Sequence, residues 1–491
     1  MKYINTMDIK IIAYYLGKTM QLTGIALLIP IIIAIFYKET PEIIGFIISS
    51  VISLIIGTLF TKININTSNI KLKNAMIIST LTWIWASFLS ALVMKISLQI
   101  PILNGIFENM SSLTGTALCL YQNVEAFPKS ILFLKSFEGW LGGLGIVIIS
   151  VGIIIRKGTA AAKLYKSEAR DERIKPSIAN TMEKTIEIYC IYTMIGITLY
   201  LLAGMPIFDA INLCFSSICT GGMSIKNANV GYYHNNIIYI ITMVLMIIGT
   251  ISFPVHYKVF KTKGKAIIDD VQFRAIAFSI IVTTIIIYFL TKAMPIEILF
   301  TVISAITSTG ASVVPIPKLL SWKDASLIFL MLLMIIGGSS GSTSGGVKII
   351  RIITLLKGIL KNIIEILSPE GRVIKVTIDN KEISTGAIKE AGSYVFITFI
   401  LIFVSWIILI LHGYDGFKSL FEIISAISNN GLSAGITNIN MSPSVKIIMI
   451  LDMLMGKLEI IPVLVTIREF FEIFKPTNKQ KRALKERFNR N

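Results

Sequence analysis

Charge is scarce in this chain. Asp, Glu, Lys and Arg together make up 15% of its 491 residues, against about a quarter in an ordinary soluble domain. Histidine and cysteine are rarer still. His234, His256 and His412 are scattered, so a metal site is not expected. Cys119, Cys190, Cys214 and Cys219 fall in or beside apolar segments, which argues against a disulfide framework. Met1–Lys18 lacks the short apolar core and small-residue cleavage site of a signal peptide. Catalytic signatures are missing as well: there is no His-Glu-x-x-His, no Gly-x-Ser-x-Gly elbow and no paired intramembrane aspartates. An intramembrane protease or lipid transferase is therefore disfavoured, and no enzyme activity or cofactor is expected.

Apolar residues are abundant, at 54% with mean hydropathy +0.76. Ten stretches are able to cross a bilayer: 19–37, 43–61, 74–94, 139–155, 188–208, 227–257, 275–291, 326–347, 391–414 and 447–467. The first nine hold no Asp, Glu, Lys or Arg, and each is near the ~20 residues that a spanning helix needs. The expected fold is an all-α polytopic membrane protein.

The net charge of +18 is placed as an orientation signal. Eight basic residues lie between Arg156 and Lys184, five between Lys258 and Arg274, and eight between Lys348 and Lys389. The tail from Lys475 is also basic. By the positive-inside rule these segments are cytoplasmic, with both termini inside. An even number of spans agrees. Nucleic-acid binding by the tail is the weaker alternative, so the expected partners include membrane lipids but no nucleic acid.

Four polar loops recur between apolar spans, and they carry the functional reading. They run over 107–117, 211–221, 300–310 and 421–431. About ten helical residues rise roughly 15 Å, half the hydrocarbon thickness, so each could re-enter the bilayer without crossing it. The candidate filter residues are Thr114, Gly115, Thr116 and Ala117; Cys219, Thr220, Gly221 and Gly222; Ser308, Thr309, Gly310 and Ala311; and Asn429, Asn430 and Gly431. Backbone carbonyls, or Thr, Ser and Asn oxygens, replace the hydration shell of an ion in such loops. Glycine reaches the backbone angles that turn carbonyls inward. No carboxylate adjoins the glycines, which suits a weakly hydrated monovalent cation. Ordinary extracellular connectors are the plainer alternative, but four in one context weigh against it.

Two further features stand out. The span 326–347 breaks at Gly337, Gly338, Gly341, Ser342, Thr343, Ser344, Gly345 and Gly346. Five glycines in ten residues cannot hold a regular helix, at ~1 kcal/mol each relative to alanine. A flexible gate is expected there, with a seam of small residues as the alternative. A phosphate-binding loop fails because Val347-Lys348 follows instead of Lys-Ser/Thr. The last span carries Asp452, Lys457 and Glu459 among apolar neighbours. Lys457 is read either as an electrostatic barrier in the pore or as half of a pair with Glu459.

These segments resemble the superfamily of Trk, Ktr and HKT potassium transporters, and most closely the Trk-type membrane subunit. The resemblance rests on 125–129 (EAFPK), 140–146 (WLGGLGI), 208–212 (FDAIN), Thr220-Gly221-Gly222, 341–348 (GSTSGGVK) and 456–459 (GKLE). It implies four pseudo-fourfold helix–pore loop–helix repeats plus two N-terminal transmembrane helices. The corresponding divisions are 1–73 for the preface, 74–156, 182–258, 273–363 and 390–472 for the repeats, and 473–491 for a basic cytoplasmic tail. It further implies K⁺ uptake across the cell membrane, a homodimer, a gate at 337–346, and a ring of cytosolic nucleotide-binding regulatory subunits. This chain lacks a strand–Gly-x-Gly-x-x-Gly–helix unit, so that TrkA-like sensor must be a separate protein.

The chain departs from the family pattern twice. An ungapped register puts Ala117 where the family has the first filter glycine, with Gly115 two residues earlier. Either Gly115 serves after a slip, or alanine fills the ring and relaxes K⁺/Na⁺ selectivity. Lys457 stands where the family commonly has arginine, keeping the charge but not the five-donor fork. A Na⁺-permeable transporter of the same fold and an ion-coupled symporter are the alternative functions.

Overall fold

The computed structural model describes residues 6–65, 70–145, 178–262, 264–369, 372, 374–379 and 381–473. Among them the chain is almost wholly helical. The only strands are the two-residue pair Thr377–Ile378 and Lys381–Glu382.

Among the described residues, six helices are long and apolar enough to cross a membrane. Two form the preface: a kinked span made of Thr6–Ala26 and Ile29–Phe36, and Thr40–Thr61. Small residues let them touch. A Cβ on Gly17 would lie 2.7 Å from the Gly57 carbonyl oxygen, and the hydroxyls of Ser50 and Ser53 donate to the carbonyls of Gly24 and Met20 at 2.7 Å. Close backbone approach of this kind holds helices together in lipid, where apolar burial gives no drive.

The other four long helices are the outer helices of the repeats: Leu72–Leu98, Ile178–Leu202, Val271–Thr291 and Thr385–Leu411. Each is followed by a short re-entrant helix: Ile102–Thr114, Ile207–Ile218, Pro295–Ile306 and Gly416–Ile427. Local sequence sets these boundaries. Gln99 and Lys292 take left-handed conformations that end their helices, and Pro101 and Pro295 lead into the next. The Asp415 side chain caps the fourth short helix by accepting from the Lys418 amide at 2.8 Å.

The inner helices account for the difference between ten expected spans and six long helices: the first is described only as far as Gly145, and the other three are interrupted. Lys129–Leu144 stops at Gly145, and the rest of the 139–155 stretch lies outside the described residues. Asn236–Thr250 meets the helix beginning at Phe253 at a 106° bend. Asp324–Ile336 gives way to a loop before Ile349–Leu367, and Pro443–Leu458 breaks at Glu459 and Ile460, both with positive φ. Hydropathy registers apolar length and is blind to such breaks.

Candidate functional site

The four short helices end alike. The carbonyl oxygens of Ser111, Ser216, Ser304 and Ser425 accept the amides of Thr116, Gly221, Thr309 and Asn430 at 2.8, 2.8, 3.0 and 2.9 Å. Just before those amides, Gly115, Thr220, Ser308 and Asn429 all adopt positive φ; just after them, Ala117, Gly222, Gly310 and Gly431 do so again, at 59°, 61°, 72° and 104°. One backbone path is therefore drawn four times from four sequences. It decides the register of the first loop and shifts that of the second. Ala117, not Gly115, is the counterpart of the three glycines. In the second loop the counterpart is Gly222, one residue later than the 211–221 spacing suggests.

The loops close on one another. A methyl group on Gly222 would overlap the carbonyl of Thr309, one on Gly310 that of Asn430, and one on Gly431 that of Thr116. A Cβ on Gly115 would lie 3.3 Å from the Gly221 Cα. First meets second, second third, third fourth, and fourth first. The carboxyl ends of four helices meet at this ring, and their partial negative charge favours a cation there.

Most side chains of the ring bond within their own loop, and the two asparagines tie neighbouring loops together. Thr114 and Thr116 share a hydrogen bond at 2.7 Å, as do Thr307 and Thr309. The Asn429 amide group donates to the Thr116 hydroxyl at 3.0 Å and the Met453 carbonyl at 2.8 Å. That of Asn430 reaches the Ala305 carbonyl, at 2.8 Å, in the neighbouring repeat. The Cys219 thiol turns back to the Ser216 carbonyl, and the Ala311 carbonyl accepts from Ser304 at 2.7 Å. The asparagines expected as ion ligands thus spend their donors sideways.

The glycine-rich break lies directly against this ring. Thr343 shares hydrogen bonds with the Thr220 hydroxyl at 3.1 Å and the Gly249 carbonyl at 2.9 Å, and the Ser339 amide donates to the Thr250 carbonyl at 3.2 Å. On the other side, a methyl on Gly345 would overlap the Ser428 carbonyl. Gly337, Gly341 and Gly346 hold positive φ, and Gly338 packs on Ser344 and Thr250. The Lys457 ammonium donates to the Thr343 carbonyl at 3.2 Å. Gly341–Gly345, Lys348, Lys457 and Glu459 line a cavity of about 40 Å³. That volume holds about one water molecule.

Residues 42–474 match the TrkH family model, described as a cation transport protein. The chain belongs to the TrkH family. A cation transporter of Methanocaldococcus jannaschii, described as uncharacterized, is 38% identical over 93% of this chain and 95% of its own length. The Trk system potassium uptake protein TrkG of Escherichia coli K12 is 28% identical over 95% and 99%. The crystal structure of the potassium transporter TrkH from Vibrio parahaemolyticus shares the fold, with TM-score 0.83 at 24% identity, covering 95% of this chain and 99% of that one.

Within this TrkH-family fold, the charged residues of the last span pair differently from the Lys457–Glu459 expectation. Glu459 binds Arg351, whose Nη1 lies 3.1 Å from one carboxylate oxygen while Nη2 takes the other. The guanidinium also stacks 4.1 Å from the Tyr394 ring centroid. Lys457 reaches the glycine-rich loop instead, at the Thr343 carbonyl. Asp452 accepts from the Ser405 hydroxyl at 3.0 Å. Sequence reading missed Arg351 because it sits in the basic linker, where it reads as an orientation charge. Its position three residues after Lys348, at the start of an apolar helix, was the available signal.

Proposed function

We propose that this multi-pass membrane protein conducts K⁺ into the cell through the four-loop ring, with the 337–346 loop as gate. The observation that carries this reading is the fourfold backbone path, closed upon itself. Most ring side chains are hydrogen-bonded to protein, the Ser308 hydroxyl and the Asn429 amide oxygen excepted, so backbone carbonyls are the main oxygens that replace the hydration shell of the ion. The potassium uptake named for the E. coli relative supports the choice of cargo. Lys457, beside the gate loop, acts as the electrostatic barrier that a cation must pass.

The basic cytoplasmic segments dock a separate nucleotide-binding regulatory subunit, and both termini lie on that side. The exposed apolar stripe Leu356, Ile359, Leu360, Ile363 and Ile364 supports a homodimer contact. A second reading, a pore that passes Na⁺ as well, is favoured by Ala117 in a ring otherwise made of glycine.

The test is radiolabelled rubidium uptake into proteoliposomes of the full chain, competed with K⁺ and with Na⁺. Competition by K⁺ at much lower concentration than Na⁺ is the expected outcome. Equal competition supports the second reading. No K⁺-sensitive uptake, even with the regulatory subunit supplied, overturns both.

A further inference from the structure

Two carboxylates are fully buried behind the ring at matching places. Glu108 and Glu422 each sit three residues before the serine whose carbonyl starts the loop, Ser111 and Ser425. Each reaches across to the amide twelve residues further on. Glu108 accepts from Leu120 N at 2.6 Å, and Glu422 from Ala434 N at 2.7 Å. Those amides lie three residues beyond the ring positions Ala117 and Gly431. The carboxylates therefore grip the chain where it leaves the ring.

Both are filled with donors. Glu108 also takes the Lys135 ammonium at 2.6 Å and the Cys119 thiol at 3.1 Å. Glu422 takes the Ser433 hydroxyl at 2.9 Å, the Thr437 amide at 3.0 Å and the Thr437 hydroxyl. Repeats two and three have Leu213 and Thr301 at this place. There the departing chains bind each other, through Gly231 N to the Ser312 carbonyl at 3.2 Å. A neutral arrangement thus suffices for half of the ring. Burying a carboxylate is costly unless donors surround it, and charge-assisted bonds are roughly twice as strong as neutral ones. The first and fourth loops are also neighbours, joined by Asn429 to Thr116.

We propose that Glu108 and Glu422 are positioning residues that set the placement of the first and fourth loops, and so the discrimination of K⁺ from Na⁺, without touching the ion. This rests on the potassium reading above. Fixing the departing strand removes the freedom by which the ring would contract around a smaller ion.

The test compares the full chain with Glu422→Gln, Glu108→Gln and the milder Ser433→Ala and Thr437→Val. Asp452→Asn is the control, a buried acid bound to Ser405 and absent from the ring. Two quantities are read: the Na⁺-to-K⁺ concentration ratio for half-competition of rubidium uptake, and the melting temperature in K⁺ against Na⁺. The second reports ion occupancy at equilibrium, whether or not the gate opens. The parent chain should melt higher in K⁺. In Glu422→Gln the competition ratio should fall on the order of tenfold, and the K⁺-over-Na⁺ melting difference should shrink. Asp452→Asn should retain both. If a glutamine variant does not fold, Ser433→Ala and Thr437→Val must show the same loss in smaller measure.

Variants that keep parental discrimination while losing only stability or total uptake would overturn the proposal. Equal loss in Asp452→Asn would do the same. A parent chain with no K⁺ preference in either assay would instead remove the potassium reading itself.

Discussion

Replacing Ala117 by glycine isolates what one methyl group does in the ring. Ala117 holds φ 59°, within two degrees of Gly222 at 61°. An L-residue in this region costs about 1–2 kcal/mol, and that strain is held in place by the surrounding loops. Glycine removes it but loses more backbone entropy on folding, about 0.5–1 kcal/mol. The two nearly offset, so Ala117→Gly should change stability by roughly 1 kcal/mol or less, favourably if at all. Its effect on the ring is of another kind. The other three ring positions have no room for a methyl group, because each lies on the carbonyl of the next loop. The Ala117 methyl also lies 3.1 Å from where a Cβ of Gly431 would be. Removing it lets the first loop close as the others do. Rubidium uptake competed by K⁺ and Na⁺ should then show sharper K⁺ preference, about tenfold for each 1.4 kcal/mol of differential ion binding regained. An unaltered ratio in a variant with parental melting temperature and uptake would refute the reasoning that the Ala117 methyl sets the ion preference of the ring.

Three more perturbations follow from the glycine-rich loop and its surroundings. Lys457→Gln removes a charge that touches the Thr343 carbonyl, so cation flux should rise; unchanged flux in a folded variant would eliminate the barrier role. Gly345→Ala drives a methyl into the Ser428 carbonyl and should abolish uptake or lower the melting temperature, whereas parental values for both would show that the loop is not seated under the ring. Arg351→Gln breaks a partly buried pair with Glu459 and the stack on Tyr394. It should cost about 1.5–3 kcal/mol, read by thermal melting, and the cost should vanish in an Arg351→Gln, Glu459→Gln double variant if the pair accounts for it.

The membrane class and the four loops were legible because long uncharged runs and a recurring polar break are properties of composition along the chain. The register of the second loop was not. Ser216-Ser217 and Gly221-Gly222 are doublets, so two alignments score alike, and only the amide of Gly221 on the Ser216 carbonyl separates them. Ala117 against Gly115 was open for a related reason, since both residues have positive φ and the loop uses two such positions. The partners of Lys457 and Glu459 lie more than a hundred residues away, beyond any local pattern. Asn429 and Asn430 offered oxygens in the sequence. Their amide donors reach Thr116 and Ala305 in neighbouring repeats and Met453 in their own. The Asn430 oxygen accepts from the Leu432 amide, and the Asn429 oxygen is left without a partner among the described residues.

The ring is assembled from four stretches of one polypeptide. In an assembly of identical subunits any inherited change strikes every quarter at once. Here a codon change alters one quarter and leaves three as they were. Ala117 among three glycines, and carboxylates behind only the first and fourth loops, are the kind of uneven history that this arrangement permits. One quarter of the ring can therefore change by itself while the other three keep their form.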